Sequence, residues 1–144
     1  MFKKILYPTD FSDVSKKALD YIVQLKDAGT KEIVLLHVID ERGIGAISRY
    51  GTGSAQTVIG RIEKEAREEG KKIEKKLMQS GFIVKARIET GIPFKEILTV
   101  EEEEKVSAIV IGSHGKTNLE EMLLGSVSEK VIRKSKNPVF VIKR

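Results

Sequence analysis

Glycine, serine and a few charged side chains are concentrated in one segment that follows a fully apolar run of the sequence. Gly112-Ser113-His114-Gly115-Lys116-Thr117 comes directly after the apolar residues 108–111, and Gly125-Ser126 opens the last helical stretch. Glycines let a backbone approach an anion closely, and the first amides of a helix have no partner within that helix. These residues therefore have the chemistry of a phosphate site. A tight strand-to-helix turn before a capped helix explains the same residues, and the spacing alone leaves both interpretations open.

Two common phosphate-binding motifs do not match this chain. A P-loop requires a glycine five positions before Gly115, and that position is Val110. The dinucleotide fingerprint G-x-G-x-x-G is not completed by either pair of glycines in residues 43–53. If residues 112–128 bind phosphate, they do so with a different loop.

The pattern Ser126-x-x-Glu129 predicts a capping box at the start of the last helix. In that arrangement the hydroxyl of Ser126 caps the helix, and the N–H groups of Val127 and Ser128 point outward. A helix N-terminus of this kind favours a bound anion by roughly 0.3–1 kcal/mol when it is exposed.

Apolar runs and amphipathic stretches alternate along the chain, which is typical of an α/β fold with a parallel sheet covered by helices on both faces. The predicted strands are residues 2–7, 33–39, 83–89, 108–111 and 138–142, and the predicted helices are 12–26, 57–80, 93–105 and 126–134, with a short helical piece over 118–124. Residues 40–56 contain four glycines and no clear period, so they are predicted to form a mobile loop. With no repeat or linker, residues 1–144 are predicted to form one domain.

Several finer expectations follow from local patterns. In the first helix, the spacing predicts a buried face of Val14, Ala18, Tyr21, Ile22 and Leu25, with Ser12 as the N-cap and Gly29 as the stop. Strand 83–89 alternates apolar and charged residues, which indicates one wet face and a place at the sheet edge. The run of four glutamates at 101–104 is interpreted as a solvated helix face.

Composition excludes several classes of protein. The chain has no cysteine and two histidines, which excludes disulfides and thiolate or histidine-rich metal sites. No stretch is apolar enough to cross a membrane, and the polar N-terminus is unlike a signal peptide, so a cytoplasmic protein is expected. The net charge of +5 comes from 26 basic residues interleaved with 21 acidic ones, a pattern that argues against nucleic-acid binding.

Four short segments together resemble the universal stress protein family. The spacing Gly112-x2-Gly115-x9-Gly125-Ser126 is similar to the ATP-binding signature of that family, and Tyr7-Pro8-Thr9-Asp10 is similar to its opening strand and acidic residue. The segments Leu35–Val38 and Asn137–Ile142 fit as well, so the resemblance covers essentially the whole chain. It implies an open, Rossmann-like sheet of five parallel strands in the order 3-2-1-4-5.

The resemblance also implies roles for individual residues. The ligand would be ATP, or AMP or ADP, with Mg²⁺ or Mn²⁺ carried by the nucleotide. Asp10 and the backbone of Val38 would hold the adenine, with Pro8 and Thr9 on the same wall. The ribose and phosphates would be wrapped by Gly112, Ser113, His114, Gly115, Lys116, Thr117 and Asn118, and phosphates would also be contacted by Gly125, Ser126, Val127 and Ser128. From the residues alone, Asp10 serves equally well as a cap for the first helix, and His37 is expected to be a core residue.

Three functions are compatible with these features. The first is a nucleotide-dependent switch or binding module in a stress response. The second is a slow ATPase, for which the sequence places no base or arginine finger against a γ-phosphate. The third is a basic nucleic-acid-binding protein.

The last strand carries a separate prediction. The apolar segment Val139–Ile142 at a sheet edge predicts a homodimer in which the last strands of two chains pair.

Overall fold

Five parallel strands form the sheet at the centre of the molecule, in a computed structural model that describes residues 1–50, 55–113 and 124–143. The strands are β1 Lys4–Pro8, β2 Glu32–Asp40, β3 Ile83–Gly91, β4 Ala108–Gly112 and β5 Val139–Ile142. Their order across the sheet is β3-β2-β1-β4-β5, and each neighbouring pair is parallel. The predicted fold class and strand order are confirmed, including the place of β3 at one edge.

Helices cover both faces of this sheet. They are α1 Asp13–Leu25, α2 Glu41–Tyr50, α3 Ala55–Gln79, α4 Pro93–Glu104 and α5 Ser126–Lys134, with a 3₁₀ turn at Lys26–Ala28. Ala18 and Ile22 of α1 and Ile73 and Leu77 of α3 are buried on one face with the inward side chains of the strands. The other face is covered by α4 and α5, through residues such as Val100 and Val131. No helix in the described parts of the chain is both long and apolar enough to cross a membrane.

The start and end of α1 follow the predicted signals. The hydroxyl of Ser12 accepts a hydrogen bond from the amide of Ser15 at 3.2 Å, which is N-cap geometry. Gly29 ends the following 3₁₀ turn at φ +101°, a conformation that glycine adopts without steric cost. One expectation is wrong: Tyr21 is 45% exposed and does not belong to the buried face of α1.

Residues 41–50 form the helix α2, whereas the sequence predicted a mobile loop over 40–56. Asp40 accepts a hydrogen bond from the amide of Arg42 at 3.0 Å, and so caps the first turn. Ile44 and Ile47, three residues apart, line the same cleft as Ile62 of α3. Burial of this apolar face offsets the cost of Gly43 and Gly45 inside the helix, about 1 kcal/mol each relative to alanine.

The glutamate run of α4 is not a solvated face as a whole, because two of its four carboxylates are buried. Glu101 is 3% exposed and Glu104 is 8% exposed. Oε1 of Glu101 accepts hydrogen bonds from the Ser135 hydroxyl at 2.5 Å, the Asn137 side chain at 2.8 Å and the Asn137 amide at 3.2 Å. Glu102 and Glu103 keep the predicted exposure. The carboxylate of Glu101 therefore fixes the turn that joins α5 to β5.

Glu104 is held by cations from two strands. Its carboxylate lies 2.7 Å from the Lys85 ammonium, 3.2 Å from the Arg87 guanidinium and 3.3 Å from the Lys4 ammonium. The hydrogen bond from Lys85, aided by Lys4, lowers the pKa of Glu104 below its usual value of 4.5. The cluster ties the end of α4 to β1 and β3.

The stabilisation of the fold by Glu104 should therefore be lost in acid. Because the pKa of Glu104 is lower in the folded chain, the unfolded chain binds more protons. The contribution of Glu104 to the free energy of unfolding is therefore fully present above its unfolded pKa and is lost as the pH falls through its folded pKa. Urea unfolding from about pH 6 to about pH 3 should show a shallower loss of stability for Glu104→Gln than for the parent chain. Identical slopes for the two proteins would contradict this role.

Candidate functional site

A cleft of about 720 Å³ opens at the carboxyl ends of the strands, where the strand order reverses between β1 and β4. Open α/β sheets bind their ligands at this position, and the volume lies within the range of small-molecule sites. The ends of β1, β2 and β4, the helices α2 and α3 and the starts of α4 and α5 surround it. The topology therefore brings together segments that are far apart in the sequence.

One wall of the cleft is formed by the end of β1 and the adjacent part of β2. Pro8, Thr9, Asp10 and Val38 all line it. Oδ1 of Asp10 accepts a hydrogen bond from the amide of Ser12 at 2.9 Å, so its carboxylate both lines the cleft and supports the turn into α1. The N-cap of α1 is Ser12, so Asp10 does not cap that helix itself but supports the turn that leads into it.

His37 is part of this wall and is not fully enclosed in the core. Its Nδ1 is 2.8 Å from the carbonyl oxygen of Thr9, and its ring stacks on Phe11 with centroids 4.3 Å apart. Thr9 is itself anchored by its amide, which donates to the Leu36 carbonyl at 2.8 Å. These contacts hold the wall in a defined position beside Asp10.

The opposite end of the cleft is the N-terminus of α5. Gly125, Ser126, Val127 and Ser128 line it, and α5 begins at Ser126 as predicted. The predicted capping box is wrong: Gly125 is the N-cap, and a glycine offers no side-chain hydrogen bond to the helix. The first amides of α5 therefore border this region without a cap from the hydroxyl of Ser126, and helix geometry leaves them without an intrahelical acceptor.

Ser128 is buried and fastens α5 to the end of β4. Its hydroxyl donates to the carbonyl of Gly112 at 2.8 Å and lies 3.2 Å from the carbonyl of Ser113. The side chain of Ser128 thus has a structural task, and its contribution to an anion site would come from its backbone N–H.

Gly112 and Ser113 occupy different positions relative to the cleft. Gly112 lines it, and a Cβ at this residue would lie 3.1 Å from Cγ1 of Val14 and 3.3 Å from the amide of Ser15. The glycine is therefore required by the close approach of α1, as well as by any ligand. Ser113 is 1% exposed and is not among the described residues that line the cleft; its carbonyl accepts from the amide of Gly125 at 2.7 Å.

Most of the predicted site residues that the structure describes converge on this one cleft. From the β1 side these are Pro8, Thr9, Asp10 and Val38, and from the β4 and α5 side they are Gly112, Gly125, Ser126, Val127 and Ser128. The predicted residues His114, Gly115, Lys116, Thr117 and Asn118 lie outside the described residues.

The cleft also contains residues that the sequence analysis missed. These come from α2, α3 and α4 and include Arg42, Ile44, Ile47, Ile62, Pro93 and Ile97. The guanidinium of Arg42 lies 2.7 Å from Oδ2 of Asp40, and its hydrogen bond lowers the pKa of Asp40 below the usual 3.8. The signal for α2 was present in Asp40-Glu41, a capping residue followed by an acidic first turn, and in the spacing of Ile44 and Ile47.

The described residues contain no group of three histidine, cysteine, aspartate or glutamate side chains that could hold a metal ion. The polar groups that do converge include the carboxylate of Asp10, backbone amides at a helix N-terminus and the ion pair of Arg42 with Asp40, set among aliphatic side chains. This combination suits a ligand with an apolar ring at one end and an anionic group at the other.

Comparison with known proteins gives the same family from sequence and from structure. The family model described as universal stress protein matches residues 1–143. Universal stress protein MJ0577 of Methanocaldococcus jannaschii is 43% identical over 156 aligned positions, covering all of this chain and 96% of the relative. A solved structure of MJ0577 superposes with a TM-score of 0.91 at 46% identity, covering all of this chain and 97% of that one.

More distant structures share the fold. A universal stress protein from Archaeoglobus fulgidus in complex with dAMP is 20% identical, with a TM-score of 0.66 over 99% of this chain and 98% of that one. A universal stress protein in complex with cAMP is 22% identical, with a TM-score of 0.66 over 99% of this chain and 97% of that one. On the full-length match to the family model and to MJ0577, this chain belongs to the universal stress protein family.

Proposed function

We propose that this chain, acting as one domain over residues 1–144, binds an adenine nucleotide in the cleft between β1 and β4, with ATP as its ligand. The observation that carries the proposal is the convergence of Asp10 and Val38 with the N-terminus of α5, whose N-cap is Gly125, on a single cleft of about 720 Å³. The dAMP and cAMP complexes of the two related folds support an adenine ligand.

The two ends of the cleft differ in chemistry, as the two ends of a nucleotide do. The adenine would lie at the β1 and β2 end, where Asp10 would accept from its amino group and the backbone of Val38 would supply the second hydrogen bond. Aliphatic side chains from α2, α3 and α4 would cover its faces; these are Ile44, Ile47, Ile62 and Ile97.

The phosphates would lie at the α5 end. The amides of Ser126, Val127 and Ser128 would donate to phosphate oxygens, and the helix dipole would favour the negative charge. Mg²⁺ or Mn²⁺ would enter with the nucleotide and take most of its ligands from phosphates and water, which is the usual mode for Mg²⁺.

A switch suits the described part of this cleft better than an ATPase. Hydrolysis requires a group that places the attacking water and a cation that stabilises the transition state. Among the described cleft residues, Asp10 is engaged with the amide of Ser12 and Arg42 is paired with Asp40. We therefore propose a cytoplasmic binding module whose nucleotide state is read by a protein partner. Nucleic-acid binding would instead show a steep dependence on salt and none on nucleotide.

The direct test is calorimetric titration of nucleotide-stripped protein with Mg·ATP. We expect one site per chain in the micromolar range or tighter. ADP and AMP should bind the same site, since they share the adenine and the first phosphate. A folded protein that gives no heat at two temperatures would show that the cleft is not a nucleotide site.

We also propose that the chain forms a homodimer by pairing of β5. This strand lies at the sheet edge opposite β3, and Val139, Phe140 and Val141 are only partly buried there. An apolar edge favours pairing with a second strand. Sedimentation should give a dimer for the parent chain and a monomer for Val141→Lys, with Lys136→Ala as the surface control. A parent chain that sediments as a monomer would refute this proposal.

A further inference from the structure

A second cavity lies on the opposite face of the sheet from α4 and α5. This groove, which we call the α3 groove, has a volume of about 290 Å³ and is lined by Phe11, His37, Arg67, Gly70, Lys71 and Ala86 among other residues. It is about the volume of ten water molecules at about 30 Å³ each. A cavity of this size accommodates a small organic molecule and is larger than an ordinary packing defect.

The groove exists because two small residues face it. Gly70 of α3 and Ala86 of β3 occupy positions where larger side chains would fill the space between helix and sheet. A Cβ built on Gly70 would meet no atom within 4 Å. The chain therefore has a helix-weakening glycine among the α3 residues that border this groove.

The remaining walls combine an apolar floor with a mainly cationic rim. Leu35 and the stacked rings of Phe11 and His37 contribute to the floor. Arg67 and Lys71, one helical turn apart and both exposed, form the rim together with the carboxylate of Glu74. Neither Arg67 nor Lys71 takes part in an ion pair with any residue that the structure describes. An anionic group at the rim would therefore meet two cations that are not already neutralised.

The α3 groove shares a wall with the nucleotide cleft. Thr9 and His37 line both cavities and are joined by the 2.8 Å contact between the Thr9 carbonyl and Nδ1 of His37. Asp10, which lines the cleft, is followed directly by Phe11, which lines the groove. Phe11 has φ +64°, a conformation that is sterically costly for a bulky residue and that persists only where its surroundings enforce it. A ligand that moves the ring of Phe11 would therefore displace Asp10.

We propose that the α3 groove binds a small organic anion with an apolar body, such as an aromatic carboxylate, and that this binding changes the affinity of the cleft for nucleotide. The coupling rests on the proposed nucleotide site, whereas binding in the groove does not. The apolar body would lie against Phe11 and His37, and the anionic group would lie between Arg67 and Lys71.

The first experiment is an NMR titration of the nucleotide-free protein with 2-naphthoate. Amide shifts should change at Gly70, Ala86 and Ile88, which line the groove. Gly70→Leu fills the groove and should weaken 2-naphthoate binding by about tenfold or more. The matched control is Gly60→Leu, which replaces another α3 glycine with open space around it but away from the groove. No shifts at the groove, or equal affinities for the two leucine variants, would overturn the site.

The role of the rim is tested by charge. The double variant Arg67→Gln, Lys71→Gln should weaken 2-naphthoate binding by about fivefold or more, since both cations of the rim are lost. The affinity of the double variant for the neutral 2-naphthalenemethanol should equal that of the parent chain. Equal losses for the charged and neutral probes would overturn the assignment of an anion to the rim.

The coupling is tested by repeating the Mg·ATP titration with saturating 2-naphthoate. The apparent Kd of the protein for ATP should change by about fivefold or more in the parent chain and in Gly60→Leu, but not in Gly70→Leu. An unchanged Kd, with 2-naphthoate bound, would overturn the coupling. If ATP does not bind at all, the proposed nucleotide site fails, while the groove is still judged by its own NMR titration.

Discussion

Replacing Ser126 by glutamate should weaken Mg·ATP binding by about 10- to 100-fold, because it adds a negative charge where the phosphates are proposed to lie. Ser126 is exposed and is the first residue of α5. An acidic side chain is favourable in the first turn of a helix, so the fold of the variant should be preserved. The loss of affinity therefore reports on the ligand and not on unfolding.

The control for this prediction is Ser126→Gln, which adds a side chain of the same size without the charge. Calorimetry should give this variant an affinity for Mg·ATP within about threefold of the parent chain. Adenosine, which has no phosphate, should bind equally to both variants. If the glutamate and glutamine variants bind Mg·ATP equally well, the phosphates do not lie at the N-terminus of α5.

The second large effect concerns stability: Glu101→Ala should lower the free energy of unfolding by about 3 kcal/mol or more. The variant removes one oxygen that accepts from three donors, the Ser135 hydroxyl and both nitrogens of Asn137, and leaves the side-chain nitrogen of Asn137 without that acceptor. Those donors are partly buried, so water replaces the lost acceptor only in part. For a chain of this length, the loss corresponds to a fall in melting temperature of about 6–12 °C.

Glu102→Ala is a matched control from the same helix and the same run of glutamates. Its carboxylate is 62% exposed and pairs with Lys136 on the surface at 2.5 Å. Surface ion pairs contribute little to stability, so urea unfolding should show a much smaller change than for Glu101→Ala. Glu101→Gln retains an acceptor oxygen and should lie between the two. Equal losses for Glu101→Ala and Glu102→Ala would contradict the assigned role of Glu101.

The four glutamates of α4 also show what a local sequence pattern can and cannot indicate. Four consecutive glutamates look alike in the sequence, yet Glu101 and Glu104 are buried and Glu102 and Glu103 are exposed. The partners that permit burial come from residues 4, 85, 87, 135 and 137, which are distant in the sequence. The residues of α4 alone therefore do not indicate which of its glutamates are buried.

The sequence predicted a loop in place of α2 for a related reason. Gly43 and Gly45 lower the intrinsic helix propensity of residues 41–50, and the sequence pattern accordingly favoured a loop. The helix forms because Ile44 and Ile47 face a cleft that is also lined by Ile62 of α3. Tertiary burial overrides propensity here, and it adds Arg42 to the site along with the two isoleucines.

The sequence by itself determined the order along the chain of the five strands and of α1, α3, α4 and α5, the edge position of β3 and, through the family resemblance, the convergence of β1, β4 and α5 on one cleft. The order along the chain and the edge position follow from hydrophobic periodicity and from glycine and proline positions. The convergence on one cleft follows from the strand order that the family resemblance implied, together with the rule that ligands bind where the strand order reverses. Only the tertiary structure decided that Gly125 caps α5, that α2 and α3 close the cleft, and that Gly70 and Ala86 leave a groove behind Phe11 and His37. The physical reason is that periodicity reports which side of an element avoids water, whereas the identity of its neighbours depends on how distant segments pack.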